Sequence, residues 1–259
     1  MILSFSIAGY IINISLTPTD WSVKKILLIE SIKKHFGDFI IPSAKNCDAH
    51  IIINEIRGIP FLTSKGKTYS QCFKKIRKNV YETYYHVSIF ELSQLLIIIL
   101  IDLLGTRGFL LHATGVHEKK GVILFTGESG SGKSTAIQLL SKQYLPFADD
   151  CVVIKKREKK YVSYQIPWIE KDNVQIVKSP HPKNISHIYI VKKSTTFDVV
   201  KINTTQLLYE MTKNAWIINS LSKKTIIAIS KFVNSGSMGS ILSFNLKNQR
   251  HLLECIKTS

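Results

Sequence analysis

Acidic residues are scarce in this chain. Asp and Glu number 18 of 259 residues against 35 Lys and Arg, a formal charge of +17. A shortage of that size points to polyanionic partners, either nucleic acid or an acidic protein or peptide. The cations are scattered, with local clusters at Lys74, Lys75, Arg77 and Lys78 and at Lys155, Lys156, Arg157, Lys159 and Lys160. The second cluster lies between two strand-like runs and reads as a hairpin tip. Frequent lysine over arginine and isoleucine over leucine also fits a compositional bias of the genome. Nucleic acid is therefore left open but not favoured. Paired cysteines are lacking too: Cys47, Cys72, Cys151 and Cys255 stand far apart with no C-x-x-C pair. That excludes a disulfide scaffold and a cysteine zinc site, and fits reduced thiols in the cytoplasm. Long apolar runs are missing as well. The most hydrophobic stretch, Val87 to Leu104, is interrupted by Ser88, Glu91, Ser93, Gln94 and Asp102. Its longest clean run, Leu95 to Ile101, is far below the roughly 20 residues of a membrane span. A buried helix and no membrane partner are expected. The opening MILSFSIAGYIINISL has no basic leader and alternates like a strand, so no signal peptide is expected either.

What the sequence does contain is a globular composition, 45% apolar and 20% charged, long enough for one large domain or two small ones. No internal repeat or low-complexity linker divides it. The pattern predicts a strand at Leu3–Leu16, a helix at Trp21–Phe36, a strand at His50–Ile56 and a basic strand pair through His86. A helix at Val87–Leu104 follows, then strands at Phe109–His112, Val122–Thr126, Leu145–Asp149, Cys151–Lys155, Tyr161–Ile166 and Ile185–Val191. A helix from Thr204 or Thr205 carries Leu207, Leu208, Met211 and Ile218. Strands at Thr225–Phe232 and Ile241–Leu246 and a helix at Gln249–Ile256 complete the reading. The division this gives is a small α+β lobe over 1–86 and an α/β nucleotide-binding core over 87–259.

The most specific stretch is GVILFTGESGSGKST, residues 121–135. Gly127, Gly132, Lys133 and Ser134 satisfy G-x-x-x-x-G-K-[ST], with an apolar strand before and a helical segment after, the setting a phosphate-binding loop requires. With glycine at about 7% of an average protein, a chance match in this length is roughly a one-in-a-hundred event. The residue types follow from the chemistry. Side chains at Gly127, Gly130 and Gly132 would block the approach of backbone N–H groups to phosphate oxygens. The helix behind directs its N-terminal N–H groups and dipole at the same anion. Lys133 supplies a charge to the terminal phosphates and Ser134 a hydroxyl to magnesium. The whole run Gly127, Glu128, Ser129, Gly130, Ser131, Gly132, Lys133, Ser134 and Thr135 is the candidate nucleotide loop, with ATP and Mg2+ as the expected cofactors. A second GKT, at Gly66, Lys67 and Thr68, fails because position 61 is Phe61.

Sixteen residues after Lys133, FADDCVVI brings two adjacent carboxylates, Asp149 and Asp150, to a strand end. Beside magnesium, one can hold the metal while the other accepts a proton from an attacking hydroxyl. His112, in LLHATGV, is expected at the end of the strand before the loop strand, where it could hydrogen-bond an aspartate and set its basicity.

LHATGV, GVILFTGESGSGKST and FADDCVVI, in this order and spacing, resemble the HPr serine kinase/phosphorylase superfamily. The likeness is greater to HPr-kinase-related proteins, some of which accompany peptide-modification gene clusters, than to HPr kinase itself. The motif core covers about 45 residues, with looser likeness through KNISHIYIVKK and the TTQLLYEM helix. The resemblance implies a P-loop kinase core of HPr-kinase/phosphoenolpyruvate-carboxykinase type behind a small N-terminal α+β lobe. It also implies phosphoryl transfer from ATP to a serine-type hydroxyl of a small protein or peptide. On it, Asp149 resembles the catalytic base, His112 its partner, Lys133 the phosphate lysine, and Asp150 with Ser134 the metal ligands. HPr kinases carry an E-x-R-G-type element after the acidic pair. Here only Glu170 or Asp172 of WIEKDN stands there, while a literal EIRG occurs earlier, at residues 55–58. That departure counts against HPr as substrate and against phosphorylase activity. A nucleic-acid-stimulated ATPase, a small-molecule kinase and a nucleotide-sensing module are the alternatives, and a homo-oligomer is left open.

Overall fold

Apolar residues alternate along Ile2–Ile7 (β1) and Tyr10–Leu16 (β2), and a two-residue turn folds the strands onto each other with Ile7 opposite Tyr10. Both turn residues, Ala8 and Gly9, have positive φ, 52° and 70°, the geometry that suits the right-handed twist of a hairpin. The single strand expected over Leu3–Leu16 is thus two. Its turn carries Ala where Asn or Asp would have announced it. The structure is a computed structural model and describes residues 1–17, 23–54, 61–64, 67–70, 73–85, 87–167, 174–217, 222–236, 239–245 and 249–258.

The chain divides into two units, Met1–Leu103 with Pro167–Ile169, and Leu104–Ile166 with Glu170–Ser259. The first continues through helix Val23–Phe36 (α1) and strands Ile40–Ile41 (β3), Ala49–Asn54 (β4), Phe61–Ser64 (β5), Lys67–Ser70 (β6), Phe73–Arg77 (β7) and Val80–Tyr84 (β8). Its main sheet has the order β3-β1-β2-β4-β8-β7, with β4 parallel to both its neighbours. Phe5 and Phe36, fully buried, meet edge to face at 6.4 Å beneath it. Helix Ile89–Leu104 (α2) starts at a capping box. The Glu91 N–H donates to Ser88 Oγ (3.2 Å), and the Glu91 carboxylate accepts from the Ser88 N–H (2.8 Å). Tyr10 donates to the Leu103 carbonyl (3.0 Å) and Lys75 pairs with Asp102 (2.7 Å). These contacts keep α2 with the first unit, so the compact units divide at Leu103 and not at residue 86. Among the described residues no helix is long and apolar enough to cross a membrane.

The second unit holds strands Gly108–Glu118 (β9) and Gly121–Thr126 (β10), helix Lys133–Leu140 (α3), and strands Pro146–Ala148 (β11), Cys151–Arg157 (β12), Lys160–Tyr164 (β13), Lys183–Lys193 (β14) and Asp198–Lys201 (β15). Helices Thr204–Asn214 (α4) and Ser222–Val233 (α5), strand Gly239–Phe244 (β16) and helix Gln249–Thr258 (α6) follow. Strands β10, β9, β12, β13 and β14 pair in turn, and β14 pairs back to β10, closing a ring. β10–β14 and β14–β16 are parallel and the remaining pairs antiparallel, so this is a mixed sheet. Strand periodicity assigns the two faces. Val122 and Leu124 pack with Met211, Ile229 and Phe232 of α4 and α5, while Ile123 and Phe125 pack with Ile137 and Leu140 of α3 and Leu252 of α6. The architecture is mixed α/β with helices on both faces of the central strands.

Three expectations change here. The strand expected at Thr225–Phe232 is the helix α5. Its buried residues Thr225, Ala228, Ile229, Phe232 and Val233 recur at helical spacing, although β-branched residues fill the segment. The strand expected to stop at His112 runs on to Glu118, which puts His112 mid-strand. Strand β15 lies in a polar stretch with all four residues exposed and gives no alternating signal. Glu170, Asp172, the EIRG at 55–58, Gly66 and Ile218 lie outside the described residues.

Candidate functional site

At Thr126 the apolar run of β10 ends, and after six intervening residues α3 begins at Lys133. The intervening loop turns on three glycines of positive φ: Gly127 (147°), Gly130 (77°) and Gly132 (111°). Gly127 is further constrained by space. A Cβ there would lie 2.8 Å from the Val191 carbonyl oxygen and 2.9 Å from Ser131 Oγ, which is why the loop can lie flat on the end of β14. Gly132 is the N-cap of α3 and brings no side-chain cap, so the first turn directs its backbone N–H groups outward. Ser131 Oγ is buried with no hydrogen-bond partner among the described residues. Lys133 is only 6% exposed, and its ammonium donates to the carbonyls of Gly127 (2.7 Å) and Glu128 (3.0 Å). Ser134 and Thr135 stand half-buried on the first helical turn. Positive-φ glycines, an uncapped helix start, a buried hydroxyl without a partner and a lysine folded over the loop together fit a bound polyphosphate.

The carboxylates reach this region through β9. Strand β11 stops at Ala148 and β12 starts at Cys151, both paired to β9, so Asp149 and Asp150 form the break between them. Strand β9 in turn pairs with β10, placing the acidic pair one strand away from the loop strand. Asp149 is buried, 2% exposed, and Asp150 is half-buried. His112 sits opposite Cys151. Its Nδ1 is 2.9 Å from the Asp150 carbonyl oxygen and 3.3 Å from the Asp150 carboxylate. The resemblance implies Asp149 as the partner of His112; these contacts are to Asp150. The Thr126 hydroxyl donates to the His112 carbonyl (2.8 Å), tying the end of the loop strand to this histidine. Asp150 and Ser134 can each offer an oxygen to a magnesium ion, which binds through one or two protein ligands plus phosphates and water. Among the described residues no group of three or more His, Cys, Asp and Glu is poised around a metal.

Several residues that sequence reasoning did not single out also border the loop. Because β14 runs parallel to β10 with Thr126 opposite Ile190, the residues just beyond Ile190 fall beside the loop. The carboxyl ends of parallel strands are where such sheets bind ligands. The Lys192–Lys193 pair closing an apolar run was the readable signal. A depression of about 350 Å³ opens there, lined by the loop, Lys192, Glu210 and Lys213. Lys213, at the end of α4, forms an ion pair with Glu128, and Lys192 lies 3.4 Å from Glu210. The Lys213 ammonium holds the Glu128 carboxyl below its ordinary range, and Glu128 in turn raises Lys213. A second hollow of about 460 Å³ lies alongside, walled by His112, Ser129, Lys213, Asn214 and Trp216. The chain is held there by the Trp216 N–H, which donates to the Leu110 carbonyl (3.0 Å). Nothing local in the sequence marks Lys213 or Trp216, because their place depends on how α4 returns to β9.

No protein-family model matches the chain, and no curated protein matches it in sequence. Among solved structures it is similar to the Hpr(Ser) kinase/phosphatase from Coxiella burnetii, at 14% sequence identity and a TM-score of 0.32, over 57% of this chain and 93% of that one. A likeness of that size establishes neither the fold nor an activity for this chain.

Proposed function

We propose that the protein is an ATP-dependent phosphotransferase that moves the γ-phosphoryl group to a serine-type hydroxyl of a small protein or peptide. The observation that carries this reading is the glycine loop at the junction of β10 and α3, with Lys133 buried over it and the Asp149–Asp150 pair one strand away. The N–H groups of residues 127–135 cradle the β- and γ-phosphates, and Lys133 exchanges its loop carbonyls for phosphate oxygens. Ser134 and Asp150 would hold magnesium, which would supply positive charge to offset that of the phosphates. The acceptor hydroxyl approaches through the hollow walled by His112, Ser129 and Trp216. As its oxygen bonds to the γ-phosphorus, the bond from that phosphorus to the β–γ bridging oxygen breaks and ADP leaves. Asp149 takes the hydroxyl proton, and His112 positions the turn by holding Asp150.

Purified protein is incubated with γ-labelled ATP and magnesium, with and without lysate or candidate peptides. Label is expected on a protein or peptide, with Asp149→Asn reducing transfer by roughly 10²–10⁴-fold at nearly unchanged ATP affinity. Equal loss of transfer and ATP affinity would remove Asp149 as base. Lys133→Ala is expected to weaken nucleotide binding itself, and unchanged binding contradicts the loop assignment. Label released only as phosphate, faster with added DNA or RNA, would establish the nucleic-acid-stimulated ATPase instead. Transfer that needs no polypeptide acceptor would establish a small-molecule kinase.

A further inference from the structure

A concavity of about 830 Å³ lies at the other end of β10 from the glycine loop. It forms where the β9–β10 turn, the β12–β13 turn and the start of β14 converge, because the closed ring of strands brings β13 and β10 onto the same strand. Val162 pairs with Asn184, and Val122 with Ile185 one residue on. A Cβ on Gly121 would overlap the Asn184 carbonyl, so glycine at that position permits the approach that closes the basin. Its rim is basic: Lys119, Lys120, Arg157, Lys159, Lys160 and Lys183. Of the two acids there, Glu118 accepts from Ser186 Oγ (2.7 Å) and the Lys120 N–H (2.9 Å), so it braces the turn. Glu158 is exposed at the opposite tip, at a φ of 55°. Burial, with Lys183 adding to it, lowers the basicity of the His117 ring on the wall. Beyond this basin Lys159 also borders a smaller hollow with Arg107, Lys156 and Lys231, which extends the basic face.

We propose that this basin docks an acidic segment of a polypeptide. Charge selects a polyanion, and the form of the basin selects among polyanions. Among the described residues no Phe, Tyr or Trp lines the basin, so unpaired bases find no platform there to stack on. Five of the six cations are lysines, compact point charges on flexible stems. The planar fork that grips phosphate in two places is offered only by Arg157. The basin is a cup closed by two turns, whereas a nucleic-acid strand needs a track. Flexible ammonium groups around a cup suit carboxylates of varying position. Calling the docked chain the phosphoryl acceptor rests on the function proposed above; the docking itself does not. On that reading the basin adds a requirement to the substrate. Gly121 and Thr126 lie about 17 Å apart at strand rise, so the acidic segment and the reacting hydroxyl must be separated by at least about five extended residues. Docking at one end would raise the local concentration of hydroxyl at the other.

The test is fluorescence anisotropy without nucleotide, with fluorescein-labelled deca-glutamate and, in parallel, labelled ten-nucleotide oligo-dT at equal ionic strength. The proteins are wild type, Lys133→Ala, and a quadruple variant K119E/K120E/K159E/K160E, whose thermal transition confirms that it folds. All four substituted residues are exposed and outside the nucleotide site: Lys119, Lys120 and Lys159 lie in turns and Lys160 opens β13. Deca-glutamate is expected to bind wild type and Lys133→Ala alike, at least tenfold more weakly to the quadruple variant, and more tightly than oligo-dT to wild type. Equal deca-glutamate binding by wild type and the quadruple variant overturns the proposal. Oligo-dT binding as tightly as deca-glutamate overturns it in favour of nucleic acid. The two readings fail separately. Lost docking with intact phosphoryl transfer removes only the basin, and intact docking without transfer removes only the kinase.

Discussion

Helix α5 supplies a test in which two isoleucines of one segment should behave differently. Ile229 is fully buried in the cluster that also holds Met211, Phe232 and Leu111, whereas Ile227, two residues earlier, is 36% exposed. On a helix these positions are about 200° apart; on a strand they would share a face. Ile229→Ala removes a buried side chain and leaves a cavity, at a cost of about 2–5 kcal/mol. Ile227→Ala removes partly exposed surface, and the better helix propensity of alanine returns a few tenths, so its cost stays below about 1 kcal/mol. The gap of at least about 1 kcal/mol is readable as a shift in urea midpoint at constant m-value. Equal costs at both sites would refute the helix and restore the alternating strand that the β-branched residues first suggest. The result bears on the candidate site, because this helix supports β9. Phe232 meets Phe109 edge to face at 5.6 Å, three residues before His112.

Two further perturbations probe the loop and the pH response. Gly127→Ala puts a Cβ against the Val191 carbonyl at a φ of 147°, while Gly130→Ala meets open space at a φ of 77°. Strain plus overpacking at the first should cost about 2–4 kcal/mol, against about 1–2 kcal/mol for left-handed strain alone at the second. Equal urea midpoints for the two variants would contradict the close approach of loop and β14. Burial lowers the basicity of His50, His117 and His187, with Arg77, Lys183 and Lys201 respectively adding to it. The unfolded chain then binds more protons than the folded one once pH falls through about 6.5, so these groups make stability fall with pH until it passes the lower folded values. The melting temperature is expected to drop from pH 7.5 to 5.5. A drop that persists when all three are replaced by glutamine would assign it elsewhere.

The parts of the fold legible in the sequence are those where one local pattern decides. The glycine loop announced itself because Gly127, Gly132 and Lys133 each answer a separate steric or electrostatic requirement, and strand β10 and helix α3 lie on either side as read. The buried helix α2 was legible from its apolar run, and its capping box fixes the start within two residues. The hairpin at Ala8–Gly9, the extension of β9 beyond His112 and the helix α5 were not. The hairpin pairs neighbouring segments but turns on Ala8, which carries no turn signature, whereas the other two depend on partners distant in sequence. β9 stays extended to Glu118 because β10 pairs along its second half after β12 has paired along its first. Residues that gain their place only through such pairings, such as Lys213 and Trp216, carry no signature of their own.

The same pairings explain why the cations around the loop hold their present partners. Lys133 donates to two loop carbonyls and Lys213 pairs with Glu128, so the loop hydrogen-bonds the first cation and supplies a counter-charge to the second. A loop of positive-φ glycines beside a buried lysine would otherwise leave an ammonium in an apolar junction, a costly arrangement. An incoming anion therefore competes with carbonyl oxygens and one exposed carboxylate, not with a vacant field. On the proposed function, a dianionic phosphate would outcompete neutral carbonyls for Lys133, because it adds attraction between opposite full charges to the hydrogen bond. Glu128, being exposed and screened, releases Lys213 at little cost. On the proposed function, selectivity for a multiply charged ligand would follow from the loop satisfying its own cations weakly: a neutral ligand would gain nothing by displacing those contacts, and a polyphosphate would.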